Sequence, residues 1–194
     1  MNQQLTNQRI FPLGIILFEK EQSYLHIFEP KYLQLIKDAL NSDYTFAIPY
    51  VEDGVLTEVA SLVKVKQIVK RYPNGTFDIA IEGLGNYFMD MIHSGDKLYE
   101  TADISRINTD TISGITLTTL FQMFMEKKEN IEMDDERFKL SYIASRLPLN
   151  VQERFNFLNT PRVTSKQKFL ITQIRFQLFI SEIECRMEYN FSLN

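Results

Sequence analysis

Few residues in this sequence have the chemistry of a catalytic nucleophile or base. The chain contains two histidines, His26 and His93, and one cysteine, Cys185. His26 lies inside an apolar run and is expected to be packed and hydrogen-bonded. His93 precedes Ser94, but catalytic partners usually come from distant segments, and no G-x-S-x-G motif accompanies either histidine. Cys185 falls on an apolar face of a predicted helix, where it is expected to behave as a small hydrophobic residue. We therefore predict no catalytic residues.

Phosphate and metal sites are not indicated either. A phosphate-binding loop requires the pattern G-x-x-x-x-G-K followed by Ser or Thr, which does not occur in the sequence. Gly83 and Gly85 form a G-x-G fragment after a predicted strand, but Phe88 holds the third glycine position and no helical pattern follows. These glycines are therefore expected to shape a bend. Two histidines and one cysteine are too few for a zinc site, so we expect no metal and no cofactor.

The composition is that of an ordinary globular protein. Of 194 residues, 44% are hydrophobic and 24% are charged, which is enough apolar material for a core without disulfides. This length suits one compact domain or two modest ones. The 21 basic and 25 acidic residues give a net charge of −4, which disfavours binding to phosphate backbones or anionic lipids.

The sequence also bears on cellular location. Cys185 is alone and cannot form an internal disulfide, which is typical of a reducing compartment, and we expect a cytoplasmic protein. The apolar run at residues 10–18 resembles the core of a signal peptide, but Pro12 and Gly14 interrupt it and Glu19 follows it, so a buried strand is expected there. No run approaches the roughly 18 apolar residues of a membrane helix, and we expect no membrane partner.

One predicted strand carries a stripe of positive charge. Lys64, Lys66 and Lys70 share the same strand parity, and Arg71 follows them. In an acidic protein such a stripe is typically a solvated face that discourages edge-to-edge pairing of strands. Weak nucleic-acid binding remains an alternative.

The elements that position these side chains begin with a β-rich part. Alternating and short apolar runs up to about residue 107 predict six or seven strands in a curled sheet or partial barrel. One helix is inserted, which begins at Pro30 and stops near Asn41. Asn74 and Gly75 predict a tight hairpin turn. Ile68 falls out of phase with its strand, which predicts a bulge.

From residue 110 the apolar period changes to about 3.6, which predicts helices. One helix is indicated by Leu117, Leu120, Phe121 and Phe124, and a second segment begins at Asp134 and stops before Pro148. Asn150 with Glu153, and Thr164 with Gln167, each resemble a capping box that opens a further helix. The predicted fold is α+β, with a β-rich subdomain over residues 1–109 and an α-helical bundle over residues 110–194.

The last predicted helix is apolar on two nearly opposite faces. At about 100° per residue, one face contains Phe169, Phe176, Ile180, Ile183 and Met187, and the other contains Ile171, Ile174, Leu178 and Cys185. We expect both faces to be covered within the protein. In the alternative, Ile171, Ile174 and Leu178 form part of a groove that binds an extended polypeptide at the junction of the β-rich subdomain and this helix.

Two strings in the β-rich part carry a family likeness. They are Phe11-Pro12-Leu13-Gly14 and Leu25-His26-Ile27-Phe28-Glu29-Pro30-Lys31-Tyr32, supported by the strand near Phe46 and by Glu82-Gly83-Leu84. Together they resemble the N-terminal substrate-binding domain of ATP-dependent Lon proteases. The likeness is densest over residues 10–92. The sequence departs from the family pattern at Asn86, where an arginine is frequent, and at Phe18-Glu19-Lys20, where Phe-Pro-Gly is frequent.

The resemblance implies a curled, PUA-like pseudo-barrel followed by an α-helical subdomain. It also implies that the domain engages unfolded or tagged polypeptides. No segment of the sequence resembles the ATPase or Ser-Lys protease modules of Lon. We therefore expect a stand-alone, non-enzymatic module that binds unfolded or partly folded polypeptide, or acts as an adaptor for a partner protein. A small hydrolase and a weak nucleic-acid binder are the alternatives.

Most of the residues that carry the likeness are expected to be structural. Glu29 is expected to cap the inserted helix with its carboxylate. Tyr32 and Phe28 are expected to pack this helix against the sheet. The same structural role is expected for the remaining motif residues, which are Pro12, Leu13, His26, Pro30 and Gly83.

Overall fold

The computed structural model describes residues 4–126 and 138–191. In these residues there are six strands and five helices. The strands are β1 (Gln4–Arg9), β2 (Gln22–Ile27), β3 (Thr45–Glu52), β4 (Val55–Arg71), β5 (Phe77–His93) and β6 (Thr101–Arg106). The helices are α1 (Pro30–Leu40), α2 (Ile115–Glu126), α3 (Leu140–Arg146), α4 (Val151–Asn159) and α5 (Val163–Phe191). The α+β class predicted from the sequence is confirmed.

The chain divides into two compact units. The first contains Met1–Asn108 and Asn150–Asn159, and the second contains Thr109–Leu149 and Thr160–Asn194. The first unit therefore holds all the described strands together with α1 and α4. A change of hydrophobic period along the chain gives no sign that α4 belongs with the strands.

The strands of the first unit form one antiparallel sheet. Their order is β1-β6-β5-β4-β3, and β2 pairs with the first part of β5. After β1, Ile10 pairs with Ala47 and Leu13 pairs with Tyr50 in parallel bridges. The segment that follows β1 at one end of the strand order thus runs along β3 at the other end. The sheet curls towards closure, which confirms the predicted pseudo-barrel.

The long β4–β5 hairpin follows the sequence signals closely. Gly75 has a φ of +86°, and the Thr76 amide donates a hydrogen bond to Asn74 Oδ1, as a tight turn requires. The register shifts on both sides of Ile68, which confirms the predicted bulge. β5 continues through Gly83 without a break, so the two strands predicted on either side of this glycine are one.

Helix α1 packs on the curled sheet through one apolar face. Its first residue is Pro30, and Tyr32, Leu35, Ile36 and Ala39 are buried. The Phe11 and Tyr32 rings stack with centroids 3.7 Å apart. These side chains join a core whose other members include Phe46, Ile48, Val63, Val65, Phe77, Ile79 and Ile81. Alternating strand residues and a helical stripe therefore share one hydrophobic core.

Residues 10–18 do not form the predicted strand, although they are buried in part as predicted. Residues 10 and 13 form only isolated bridges, and residues 15–18 belong to no strand. The burial is correct, because Ile16, Leu17 and Phe18 are all buried. Proline lacks an amide for a ladder bond, and Leu17 forms its backbone hydrogen bonds with side chains of other strands.

The second unit contains three described helices, of which α2 and α3 both contact α5. The helix predicted from Leu117 to Phe124 is confirmed by α2. The predicted start at Asp134 lies outside the described residues. The capping box predicted for Thr164 and Gln167 is wrong. Helix α5 begins at Val163, and Gln167 Oε1 accepts a hydrogen bond of 3.1 Å from the Gly114 amide instead.

Helix α5 does not have both apolar faces covered along its length. Ile174 is fully buried, but Phe176, Ile183 and Met187 on the opposite face are exposed. The expectation that both faces are covered is therefore wrong for the second half of the helix. The spacing alone could not show this, because it gives the position of a face and not what packs against it.

Candidate functional site

The first family-motif string joins the end of β1 to β3. The Leu13 amide donates to the Pro49 carbonyl at 3.1 Å, and the Leu13 carbonyl accepts from the Val51 amide at 3.0 Å. Pro12 and Leu13 are half-buried. Their contacts hold the curled sheet together, which agrees with a structural role.

The second string places two side chains on the solvent-facing side of the sheet. Phe28 is 60% exposed, so the expectation that it packs α1 against the sheet is wrong. His26 is also exposed, which contradicts the expected packing. Its predicted hydrogen bond exists, because His26 Nδ1 donates to Asp78 Oδ1 at 2.6 Å. Side chains alternate along β2, and Leu25 and Ile27 occupy the inward positions.

His26 and Phe28 belong to a small polar and aromatic cluster. The His26 ring stacks on Phe28 and meets Tyr72 edge-on. Tyr72 donates its hydroxyl to Asp78 Oδ2 at 2.7 Å. The hydrogen bonds from His26 and then from Tyr72 lower the pKa of Asp78, and the bond to Asp78 raises the pKa of Tyr72. With Tyr24, which is 68% exposed, this cluster gives β2 an exposed aromatic side.

The start of helix α1, which follows this strand, agrees only in part with the prediction. Glu29 occupies the N-cap position and Pro30 the first helical position, but the Glu29 side chain forms no capping hydrogen bond. Its carboxylate lies 3.5 Å from Lys31 Nζ in an exposed ion pair. The expected side-chain cap is therefore wrong. Tyr32 does pack against the sheet, as predicted.

Gly83 allows two backbone segments to meet. Its amide donates to the Glu21 carbonyl at 2.8 Å, and its carbonyl accepts from the Lys20 amide at 2.9 Å. A Cβ atom at this position would lie 2.1 Å from the Phe18 carbonyl oxygen, which no real contact allows. Gly83 thus fixes the turn at residues 18–21 against β5.

A groove lies between the two arms of this turn. One arm is the segment Gly14, Ile15, Ile16 and Leu17. The other arm is Glu21 together with the first two residues of β2, Gln22 and Ser23. Val151 and Arg154 of α4 complete the lining, and the groove has a volume of about 410 Å³. We call this cavity the β2 groove.

The groove is held in shape by groups from distant parts of the chain. Arg154 Nη1 donates to Glu21 Oε2 at 2.5 Å and to the Ile16 carbonyl at 3.1 Å. Glu21 Oε2 also accepts from the Phe18 amide at 2.8 Å. Sequence reasoning missed Arg154 because nothing in its local pattern indicates a partner so far away along the chain.

A buried polar pair supports the other arm. Ser61 Oγ accepts from the Leu17 amide at 3.0 Å, and Asn86 Nδ2 donates to the Leu17 carbonyl at 2.9 Å and to Ser61 Oγ at 3.2 Å. Both side chains are buried. Asn86 is the residue at which the sequence departs from the family pattern, and here it holds the backbone of the groove.

The three α5 residues proposed for a binding groove differ in exposure. Ile174 is fully buried, whereas Ile171 and Leu178 are half-buried. Leu178 lines a second cavity of about 550 Å³ together with Met123, Arg175 and Phe179. Their assignment to a binding surface stays a prediction.

In the described part of the chain, both histidines pair with carboxylates and neither forms a hydrogen bond with a hydroxyl group. His26 bonds to Asp78, and His93 Nε2 lies 3.2 Å from Asp103 Oδ2. Ser94, the neighbour of His93, donates instead to Glu100 Oε1 at 3.4 Å. Residues 4–126 and 138–191 contain no group of three or more His, Cys, Asp or Glu side chains able to hold a metal ion. None of the described helices combines the length and apolarity needed to span a bilayer.

Comparison with known families gives a match over most of the chain. Residues 8–175 fit the family described as the ATP-dependent protease La (LON) substrate-binding domain. The chain belongs to this family. The match concerns the LON substrate-binding domain and not the ATPase or protease parts of Lon. The strings around Leu13, Phe28 and Gly83 all lie inside the matched range.

Two relatives of this LON domain are full Lon proteases. Lon protease 1 of Bacillus subtilis (strain 168) is 24% identical over 200 residues, which cover 90% of this chain and 26% of that protein. Lon protease of Desulforamulus reducens is 21% identical over 211 residues, which cover 95% of this chain and 26% of that protein. The chain thus spans about a quarter of the length of these curated relatives.

Solved structures show that the LON fold is shared. A Lon N-terminal domain protein from Xanthomonas campestris matches with a TM-score of 0.64 and 18% identity, covering 81% of this chain and 92% of that one. The N-terminal domain of a Mycobacterium avium complex Lon protease matches with a TM-score of 0.64 and 12% identity, covering 87% and 98%.

Proposed function

We propose that this LON substrate-binding domain binds unfolded or partly folded polypeptide and catalyses no reaction of its own. The observation that carries the proposal is the family match over residues 8–175, because the family is described by substrate binding within an ATP-dependent protease. The exposed rings of Tyr24 and Phe28 support it. Aromatic side chains on a surface supply large apolar contact area at low entropic cost.

We further infer that the domain works in the cytoplasm, as a polypeptide binder or as an adaptor that presents polypeptide to a partner protein. The single cysteine supports a reducing compartment. A binder that does not hydrolyse ATP releases its ligand by simple dissociation. Reversible contacts from apolar side chains and strand-edge amides suit that requirement.

The α5 residues Ile171 and Leu178 remain a second candidate surface. Their half-buried side chains lie on the same helix as the exposed Phe176 and Phe179. Ile174 has no exposed surface, so its own contact with a ligand would require α5 to move. In this proposal Ile174 supports the surface from below and does not touch the ligand.

A binding measurement tests the proposed function. Reduced α-lactalbumin, which is unfolded, carries a fluorescent label and is titrated with the purified chain, and native α-lactalbumin serves as the control. We expect saturable binding of the unfolded form only. In parallel, the chain should leave ATP and casein unchanged. The proposal fails if the two forms of α-lactalbumin bind equally or not at all, or if turnover of ATP or casein persists through several purification steps.

A further inference from the structure

The strand β2 has one free edge. It pairs with β5 and with no other strand among the described residues. The Gly83 amide donates to the Glu21 carbonyl, and hydrogen-bonded pairs in an antiparallel ladder recur every second residue. Ser23, Leu25 and Ile27 therefore direct their peptide groups to β5. The peptide groups of Gln22, Tyr24 and His26 face away from the sheet.

This edge lacks the features that normally protect a free strand. Proteins blunt exposed edges with lysine, proline or a bulge, because an open edge pairs with other chains. The sequence of β2, Gln-Ser-Tyr-Leu-His-Ile, contains neither lysine nor proline. Its pairing with β5 runs through all six residues without a register shift. An unprotected edge of this kind is a template for a further strand.

The opposite wall of the β2 groove also offers free backbone groups. In the described ranges, the amides and carbonyls of Gly14 and Ile15 form no hydrogen bond. The neighbouring carbonyl of Ile16 is already bound by Arg154. Backbone amides and carbonyls without an intramolecular hydrogen bond in the described part of the chain thus lie on both sides of the groove. They belong to Gly14 and Ile15 on one side and to Gln22 on the other. A ligand that matches them must itself present alternating amides and carbonyls.

We propose that an extended polypeptide segment adds as a strand to the free edge of β2 and enters the β2 groove at its Gln22 end. This inference rests on the proposed function and names the site for it. Strand addition supplies affinity through backbone hydrogen bonds, which do not depend on sequence. That is the requirement for a domain that accepts many unfolded chains.

The charges around the site indicate which segments it accepts. Two acids beside the groove and β2 are paired with bases, Glu21 with Arg154 and Glu82 with Lys66, and Asp78 accepts hydrogen bonds from His26 and Tyr72. A charged ligand would compete with these interactions, whereas an uncharged ligand would leave them intact. Alternate side chains of an added strand would lie beside Tyr24 and Phe28. The expected ligand is therefore uncharged and apolar or aromatic at every second residue.

A pair of variants at one position tests the backbone contribution. Tyr24→Pro removes the outward amide together with the ring, while Tyr24→Ala removes the ring alone. Neither removes a ladder bond to β5, and proline is tolerated at such a position of an edge strand. With labelled, reduced α-lactalbumin as the probe, we expect Tyr24→Pro to bind at least about fivefold more weakly than Tyr24→Ala, as loss of a hydrogen bond does.

A measurement on the unmodified chain keeps the test valid if Tyr24→Pro does not fold. Hydrogen exchange followed by NMR should show that the Tyr24 and His26 amides become protected when the probe is added. Equal binding by both variants, or no added protection at these amides, overturns strand addition while the proposed function stands. Failure of the unmodified chain to bind the probe overturns the proposed function and this site with it.

Discussion

At the residue scale, four charged side chains illustrate three different environments of a charge in a folded chain. Arg154 and Glu21 are both partly buried and form an ion pair. Burial raises the pKa of Asp43, but hydrogen bonds from Thr45 and Ser42 and the charge of Arg9 together lower it to about 2. Lys166 is buried, and desolvation lowers its pKa to about 8. Substitution of these residues therefore has different consequences.

Loss of Arg154 is expected to destabilise the protein. Arg154→Ala leaves the Glu21 carboxylate and the Ile16 carbonyl without this donor, and a partly buried charge without its partner is costly. We expect the free energy of unfolding at pH 7 to fall by about 1–3 kcal/mol, measured by urea denaturation. Arg186→Ala is the matched control, because its pair with Glu182 is exposed. A loss no larger than that of the control would contradict this role of Arg154.

Lys166 is expected to make stability depend on alkaline pH. Its pKa is about 8 in the folded chain, against 10.5 as the ordinary value. Between these pH values the unfolded chain binds more protons, so this residue makes the folded state more stable as pH rises from 8 to 10.5. Below pH 8 the lysine is charged in both states, so its burial lowers the free energy of unfolding by a constant amount. Lys166→Met should therefore raise the unfolding free energy at pH 7 by on the order of 1–3 kcal/mol.

Denaturation at several pH values tests this assignment. The gain from Lys166→Met should shrink as pH approaches 10, where the wild type is relieved of the buried charge. Lys168→Met, at an exposed position of the same helix, serves as the control and should give a profile parallel to that of the wild type. If the unfolding free energies of Lys166→Met and the wild type change with pH in parallel, burial does not lower the pKa of Lys166.

At the element scale, the helix starts show where local sequence rules suffice. At α4 the Asn150 amide donates to Glu153 Oε2 and the Glu153 amide donates to Asn150 Oδ1, both at 2.9 Å. This is the reciprocal capping box that the sequence predicted. At α1 the acidic residue Glu29 occupies the N-cap, yet its side chain pairs with Lys31 and forms no cap. At α5 the predicted N-cap, Thr164, is instead the second residue of the helix.

These differences predict unequal effects of capping substitutions. Asn150→Ala removes one half of a formed capping box and should lower the unfolding free energy by about 1 kcal/mol. Thr164→Ala provides the matched control, because Thr164 lies inside α5 and caps nothing, and it should leave stability unchanged. Thermal and urea denaturation of both variants measure this. A larger effect at Thr164 than at Asn150 would reverse the assignment.

The turn against β5 should not tolerate a side chain at Gly83. Gly83→Ala would place a carbon 2.1 Å from the Phe18 carbonyl oxygen, so one of the two backbone segments has to move. Overpacking of this kind costs about 1–3 kcal/mol or more. Gly95→Ala is the control, because a Cβ atom there meets nothing within 4 Å. Equal denaturation midpoints for the two variants would show that the turn adapts without cost.

At the scale of the whole molecule, charge determines which macromolecules the chain attracts. The net charge is −4, and the basic stripe on β4 is exposed as expected. Lys66 of this stripe is paired with Glu82, and the Lys70 ammonium lies over the Tyr72 ring at 4.6 Å. The stripe is therefore partly neutralised by its own surroundings.

Nucleic-acid binding is accordingly expected to be weak and sensitive to salt. Retention on single- or double-stranded DNA at low ionic strength should disappear when salt rises to about 0.15 M, because few phosphates are neutralised. Lys64→Glu should reduce any residual retention further. Electrophoretic mobility shifts over a salt series measure this. A sequence-dependent complex that persists at physiological salt would establish the nucleic-acid alternative.

The sequence by itself determined the features that depend on neighbouring residues. The Asn74–Gly75 turn, the apolar stripe of α1 and the Asn150–Glu153 box each depend on residues that are close together in the sequence. Their geometry follows from backbone preferences and periodicity, which are local properties. The motif strings around Leu13, Phe28 and Gly83 also indicated the family, which the match over residues 8–175 confirms.

Only the tertiary structure decided which distant residues meet and which surfaces stay open. Arg154 reaches Glu21 across 133 positions, and Asn86 reaches Leu17 across 69. The same periodicity that predicted strand and helix faces could not show that Phe28 is exposed or that β2 has a free edge. The reason is physical: burial and pairing depend on what the rest of the chain places beside a residue, and that is decided when the elements pack together.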